Sequence, residues 1–283
     1  MNLEAIYLLT SSLNKYLQKN TINESDLKSI QSQLDILFYH LPLPTYNCIP
    51  ARLERLTINE RLPQGNNDRI NEIKYLKYPP KESVTKFGRC NILNQPILYG
   101  SFNFHTVIDE LKPNVGKVIT HTEWALKKEA PLKLFPIFFI TNIGNGPHNP
   151  MSLDIKELHE HYASLHLEGI RKCFDLSMEF LAKCFAKEVD RNNHFDYFLS
   201  AYISNKILSI DSLNYDGIIY PSVQARLGCS NMAIRPKVFD EKFKLIEVCH
   251  EINLIENGKS GINHVQSRST NFDLENEIII WED

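Results

Sequence analysis

The stretch YPPKESVTKFGRCNILNQPILYGSFNFHTVIDEL, residues 78–111, sets an arginine, a tyrosine and a carboxylate within one short passage. Arg89 follows Gly88, whose missing side chain permits a tight backbone turn, so its guanidinium either faces a cleft or lies on the surface beside that turn. Tyr99 ends a short apolar run, where a ring serves either the core or a cleft wall. Glu110 comes after TVI, on the side of a short helix that should face inward, where an unpaired carboxylate is costly without a ligand or a cationic partner. Much later, NYDGIIYPSV passes from a turn into a buried strand that Pro221 stops just before Ser222. Proline and serine are common where a ladder must end; the alternative is a hydroxyl presented to a site. No nearby His and Asp pattern marks Ser222 as an activated nucleophile.

Other chemistries are poorly served. The histidines of LHEHYASLHLEG, residues 158–169, do not form HExxH, because position 163 is alanine. His159 and His161 point to different faces of a helix, and His159 and His166 stand about 10 Å apart along its axis. They are read as surface and partly buried side chains, with no metal site expected. Gly144 and Gly146 in IGNGPHNP lack the third glycine and the following helix of a dinucleotide fingerprint, so the segment is read as a turn. Neither a P-loop nor a G-x-S-x-G elbow occurs.

These residues need elements to hold them. Leu3, Ile6, Leu9, Leu13, Tyr16 and Leu17 recur at helical spacing, as do Leu27, Ile30, Leu34, Leu37 and Leu41 after a capping-box pattern at Thr21 to Glu24. Residues 1–45 therefore form a helical hairpin, closed by Pro42 and Pro44 and treated as an appendage to a main body of 46–283. Residues 46–145 are strand-rich, with runs such as QPILYG, GKVITHTEWAL and LKLFPIFFI. The helical period returns over about 152–208, and strands resume in DGIIYPSV, FKLIEVCHEINLIE and NEIIIWED. Strands on both sides of a helical block, without regular alternation, predict α+β with an antiparallel or mixed sheet.

The 283 residues, 43% of them hydrophobic, are ample for a packed core. With 31 basic and 34 acidic residues there is no general attraction to polyanions, and direct nucleic-acid binding is not expected. The six cysteines are scattered, without a CxxC pair, and are read as reduced, mostly buried thiols. The N-terminal residues lack the layout of a secretory signal and no segment has the ~18 consecutive apolar residues of a span, so no membrane association and a cytoplasmic location are expected.

The two motifs, PP…GRCN…QPILYGSFNFHTVIDE and the later YDGIIYPSV…N, together resemble the RES-domain family, over roughly residues 50–250. That resemblance implies a fold like that of ADP-ribosyltransferases, with split β-sheets around a cleft, here carrying an N-terminal helical hairpin and a helical insertion. It implies a toxin that destroys NAD by hydrolysis or phosphorolysis, with NAD as substrate and no resident cofactor, neutralised by a helix-turn-helix antitoxin protein. Carried onto this chain, it names Arg89, Glu110 and Ser222 as catalytic, and Arg52 or Arg55, Arg89, Tyr99 and Asn231 as NAD-binding, with Tyr220 able to replace Tyr99 as the aromatic face. Arg52 is preferred over Arg55. The arginines would fork onto pyrophosphate oxygens, a tyrosine would stack on nicotinamide, and Glu110 would counter the charge of an oxocarbenium-like ribose. Ser222 would position the nicotinamide amide or Glu110. Two rival readings stand beside it: transfer of ADP-ribose to a macromolecule, and a non-catalytic nucleotide- or partner-binding module. The hairpin and the long helical stretch depart from the minimal domain and bear on partners and on a homo-oligomeric state.

Overall fold

The computed structural model describes residues 3–19, 21–41, 43–62, 68–140, 156–157, 159–161, 164, 168–190, 193–222, 229–256, 259 and 261–282. In chain order the principal elements are α1 (Leu3–Gln18), α2 (Glu24–Phe38), β1 (Tyr46–Cys48), β2 (Leu53–Ile58), β3 (Leu98–Ser101), α3 (Phe104–Leu111), β4 (Val118–Leu126), β5 (Leu132–Pro136), α4 (Glu168–Ala186), α5 (Phe198–Leu208), β6 (Gly217–Pro221), β7 (Ser230–Ile234), α6 (Pro236–Lys242), β8 (Phe243–Ile252), β9 (His264–Asp273) and β10 (Ile278–Glu282). The chain is thus mixed α+β. It falls into two compact units, each assembled from three chain segments: Met1–Cys48, Lys81–Gln95 and Leu132–Cys229 in unit 1, and Ile49–Pro80, Pro96–Pro131 and Ser230–Asp283 in unit 2.

Unit 1 is built on helices. The predicted hairpin forms, but α2 is capped at Asn23, not at Thr21: the Asp26 carboxylate accepts from the Asn23 N–H at 3.1 Å and also pairs with Lys19. Asparagine is as good a cap as threonine, and this second carboxylate decides the register. The hairpin is bound into its unit through polar contacts, the first of them buried. Asp196 accepts from the Ile22 N–H at 2.8 Å, and Asp35 accepts from Tyr202 Oη at 2.8 Å and from Lys206 at 2.6 Å. The apolar stripe of α4 is buried along Phe174, Met178, Leu181 and Phe185, and α1 packs against this helix. Burying a phenylalanine as fully as Phe185 contributes about 2–3 kcal/mol. Strand β5 pairs antiparallel with β1 and parallel with β6. Asp216 clamps the start of β6 to β5: its N–H donates to the Lys133 carbonyl at 2.7 Å and its carboxylate accepts from the Lys133 N–H at 2.8 Å.

Unit 2 carries an antiparallel run in the order β7-β3-β2-β4-β8-β9-β10. Because side chains alternate along a strand, β2 sends Leu53, Arg55 and Thr57 to one face and Glu54, Leu56 and Ile58 to the other. Helix α3 covers part of the second face, where Val107 and Ile108 pack with Leu56, Ile58, Ile119 and Ile255. The loop beyond α3 is tied down by fully buried Asn253, whose Nδ2 donates to the carbonyls of Pro113, Asn114 and Ile255. Among the described residues no helix is long and apolar enough to cross a membrane.

Candidate functional site

Helix α3 is only eight residues long, so its position depends on its ends. Asn103 caps it: its Oδ1 accepts from the Thr106 N–H and from Thr106 Oγ1, both at 2.9 Å. Glu110, in the last turn, is half-buried and accepts a hydrogen bond from Asn231 Nδ2 at 2.7 Å. Asn231 lies on β7 opposite Ser101 of β3, and Ser101 lies opposite Glu54 of β2. Tyr99, two residues before Ser101, shares that strand face. Burial pushes the neighbouring Asp109 carboxyl above its ordinary value; His105 opposes the rise and the Glu110 charge adds to it.

The two alternative arginines separate cleanly. Arg52 pairs with Glu123, which lies opposite Glu54 and therefore on the face that α3 covers. Arg55 belongs to the opposite face and is half-buried, with Nε donating to the Leu76 carbonyl at 3.1 Å and Nη1 to the Tyr99 carbonyl at 2.8 Å. Desolvation lowers the Arg55 guanidinium to about 10. By donating to these two backbone carbonyls it braces β3 against the segment at Leu76.

The remaining candidates belong to unit 1. Arg89 caps the C-terminal end of α4, with Nη1 donating to the Phe185 carbonyl and both Nη atoms reaching the Lys187 carbonyl at 3.3 Å. Its guanidinium also stacks over the Tyr197 ring, 5.3 Å from the centroid. This favours the local, structural use of the residue, since a helix C-terminus offers unpaired carbonyls and partial negative charge. Tyr220 is buried, its ring 5.5 Å from that of Phe185. Ser222 is fully buried just past β6, and its N–H donates to the Cys229 carbonyl at 2.8 Å. Within unit 2 the fold brings Glu110 to Asn231 and Arg55 to the Tyr99 backbone; within unit 1 Arg89 and Tyr220 both meet Phe185.

In the histidine-rich segment His159 is half-buried, with Nε2 3.0 Å from Asp175, and His161 is exposed, while His166 lies outside the described residues. The glycine turn at 143–150 also lies outside them. The six cysteines are thiols, not disulfides, and five of them are buried.

A second polar group, missed in the sequence, surrounds His121 on the same sheet face. Its Nε2 lies 3.0 Å from Glu54 Oε2 and its Nδ1 3.8 Å from Glu251 Oε1, with the Phe104 ring edge-on at 4.8 Å. Across the β4–β8 ladder, Cys249 lies opposite His121 and Glu247 opposite Glu123. Cys249 donates to Glu247 at 3.2 Å, and Arg268 grips Glu247 with two bonds of 2.6 Å. Burial pushes Glu247 upward, but Arg268 and Cys249 more than offset this and hold it below its ordinary range. Burial, and then the neighbouring carboxylates, raise the Cys249 thiol; burial also raises Glu251 despite its bond from Asn263 at 2.8 Å. The available signal was the period-two spacing of His121 and Glu123 on one strand and of Glu247, Cys249 and Glu251 on another.

Neither a family model nor a curated protein matches the chain.

Proposed function

We propose that this chain is a RES-type protein of ADP-ribosyltransferase-like fold that binds NAD and cleaves its nicotinamide–ribose bond. The observation that carries the reading is the Glu110–Asn231 pair: a half-buried carboxylate at the end of a capped helix, oriented by an amide at 2.7 Å, with Tyr99 on the same strand face. In the proposed step the bond from ribose C1′ to the pyridine nitrogen breaks and its electron pair leaves with nicotinamide. Glu110 counters the positive charge left on the ribose, and water or phosphate then attacks C1′, with the released proton passing to solvent. Asn231 fixes the carboxylate without neutralising it, which preserves its charge for the transition state. The roles of Arg89 and Ser222 rest on the sequence resemblance, and a helix-turn-helix antitoxin is proposed on the same ground.

The test is incubation of purified protein with NAD, with and without phosphate, and identification of the products by mass. Free nicotinamide with ADP-ribose, or with its phosphorylated form when phosphate is present, is the expected outcome. Glu110→Gln should lower turnover at least 100-fold at unchanged melting temperature. Label from adenine-marked NAD fixed on a macromolecule would point instead to ADP-ribosyl transfer. NAD that binds but persists would point to a binding module.

A further inference from the structure

Four carboxylates converge on His121 and Cys249, and among the described residues guanidinium groups engage two of them. Arg52 takes Glu123 and Arg268 takes Glu247, which leaves Glu54 and Glu251 on either side of one imidazole. On the Nε2 side the imidazole is within hydrogen-bond distance of Glu54, at 3.0 Å. The Nδ1 side is different. At 3.8 Å the contact is too long for a hydrogen bond to Glu251, and the gap lies between two potential ligand atoms in a buried setting.

The spacing is near that of ligands around one metal ion. Two ligand atoms bound to one tetrahedral ion at 2.0–2.3 Å stand roughly 3.3–3.6 Å apart. A nitrogen of His121, Cys249 Sγ and a Glu251 oxygen all lie within 4.8 Å of one another, and all three residues are buried. The hydrogen bond from Nε2 to Glu54 is the carboxylate–histidine arrangement that orients a metal-binding imidazole from behind. One thiol, one imidazole and one carboxylate form a mixed S, N, O set that suits Zn2+ and serves the hard, oxygen-seeking Mg2+ and Ca2+ poorly. We infer that His121 Nδ1, Cys249 Sγ and a carboxylate oxygen of Glu251 form a site for one Zn2+ ion, with Glu54 as the outer partner of the histidine. Binding breaks the Cys249 S–H bond, forms the sulfur–metal bond and releases the proton to the buffer. Three protein ligands leave the fourth position to water. The site is independent of the NAD reading.

The experiment uses the full chain, stripped with chelator and titrated with zinc chloride by calorimetry, alongside cobalt chloride followed by absorption. One equivalent of Zn2+ should bind, and magnesium chloride in excess should not compete. Cys249→Ser and His121→Ala should each weaken binding at least 100-fold, and Glu54→Gln roughly 10- to 100-fold. The cobalt form should show tetrahedral bands with a thiolate charge-transfer band that Cys249→Ser removes. A wild-type chain that takes up no zinc at tens of micromolar would overturn the inference, as would folded Cys249→Ser and His121→Ala variants that bind it undiminished. If those variants do not fold, the wild-type cobalt spectrum decides: octahedral bands without sulfur charge transfer would end the proposal.

Discussion

Replacing Arg89 with alanine should destabilise the ligand-free protein. The guanidinium donates to two carbonyls at the end of α4 and stacks over Tyr197 at 5.3 Å. Hydrogen bonds from a charged donor are worth about 1.5–3 kcal/mol, a cation–π contact about 0.5–1, and a cation at a helix C-terminus about 0.3–1. These terms overlap, because one charge serves all of them, so the loss is about 3 kcal/mol. For a chain of this size that is roughly a 6–12 °C fall in melting temperature. The assay is urea and thermal unfolding without nucleotide, with Arg89→Lys as the companion. Lysine keeps the charge but loses the fork, and should recover about a third of the loss. If Arg89→Ala melted within about 1 °C of the parent while NAD affinity collapsed, the helix-end account would be refuted and the phosphate-binding role restored.

Three further outcomes follow from the packing. Gly100→Ala would set a Cβ 2.6 Å from Leu53 Cδ1 and 3.0 Å from the Glu54 carbonyl, so a loss of about 1–3 kcal/mol is expected in denaturant unfolding. Unchanged stability would mean that β2 and β3 part more easily than their pairing implies. Asn103→Ala should cost about 1 kcal/mol by unpairing the first turn of α3, and should lower NAD turnover with it if Glu110 acts from that helix. Burial first, and then Arg69, hold His250 below the usual 6.5, and its Nδ1 is buried without a hydrogen-bond partner. The unfolded chain therefore binds the proton first. Stability should decline as pH falls from about 6.5 toward the lowered folded value, and His250→Gln should flatten that slope relative to the parent.

Much of the scaffold was legible because it follows local periodicity. The hairpin, the α4 stripe and the strands in QPILYG, GKVITHTEWAL, LKLFPIFFI and NEIIIWED all carry their apolar pattern in sequence. Strand β9, HVQSRSTNFD, does not: it is polar along most of its length and is held by ladders to β8 and β10. At the site, the inward face of the helix carrying Glu110 could be read directly, whereas Arg52 and Arg55 could not be told apart until pairing assigned each to a face of the sheet. Arg89 was ambiguous for another reason: the carbonyls it meets belong to a helix nearly a hundred residues away in sequence. The His121 group had only a period-two signal within each strand, and it was missed because Glu54, His121 and Cys249 come from three strands whose order in space is not their order in the chain.

The interleaving of the two units bears on how a ribosome delivers this protein. Strand β4 pairs with β2 soon after it emerges, but its other edge waits for residues 243–252, and β3 waits for residues 230–234. Unit 1 is meanwhile completed only at Cys229. A nascent chain halted before that point leaves strand edges unpaired, and neither unit can be cloned as one continuous fragment without rewiring the backbone.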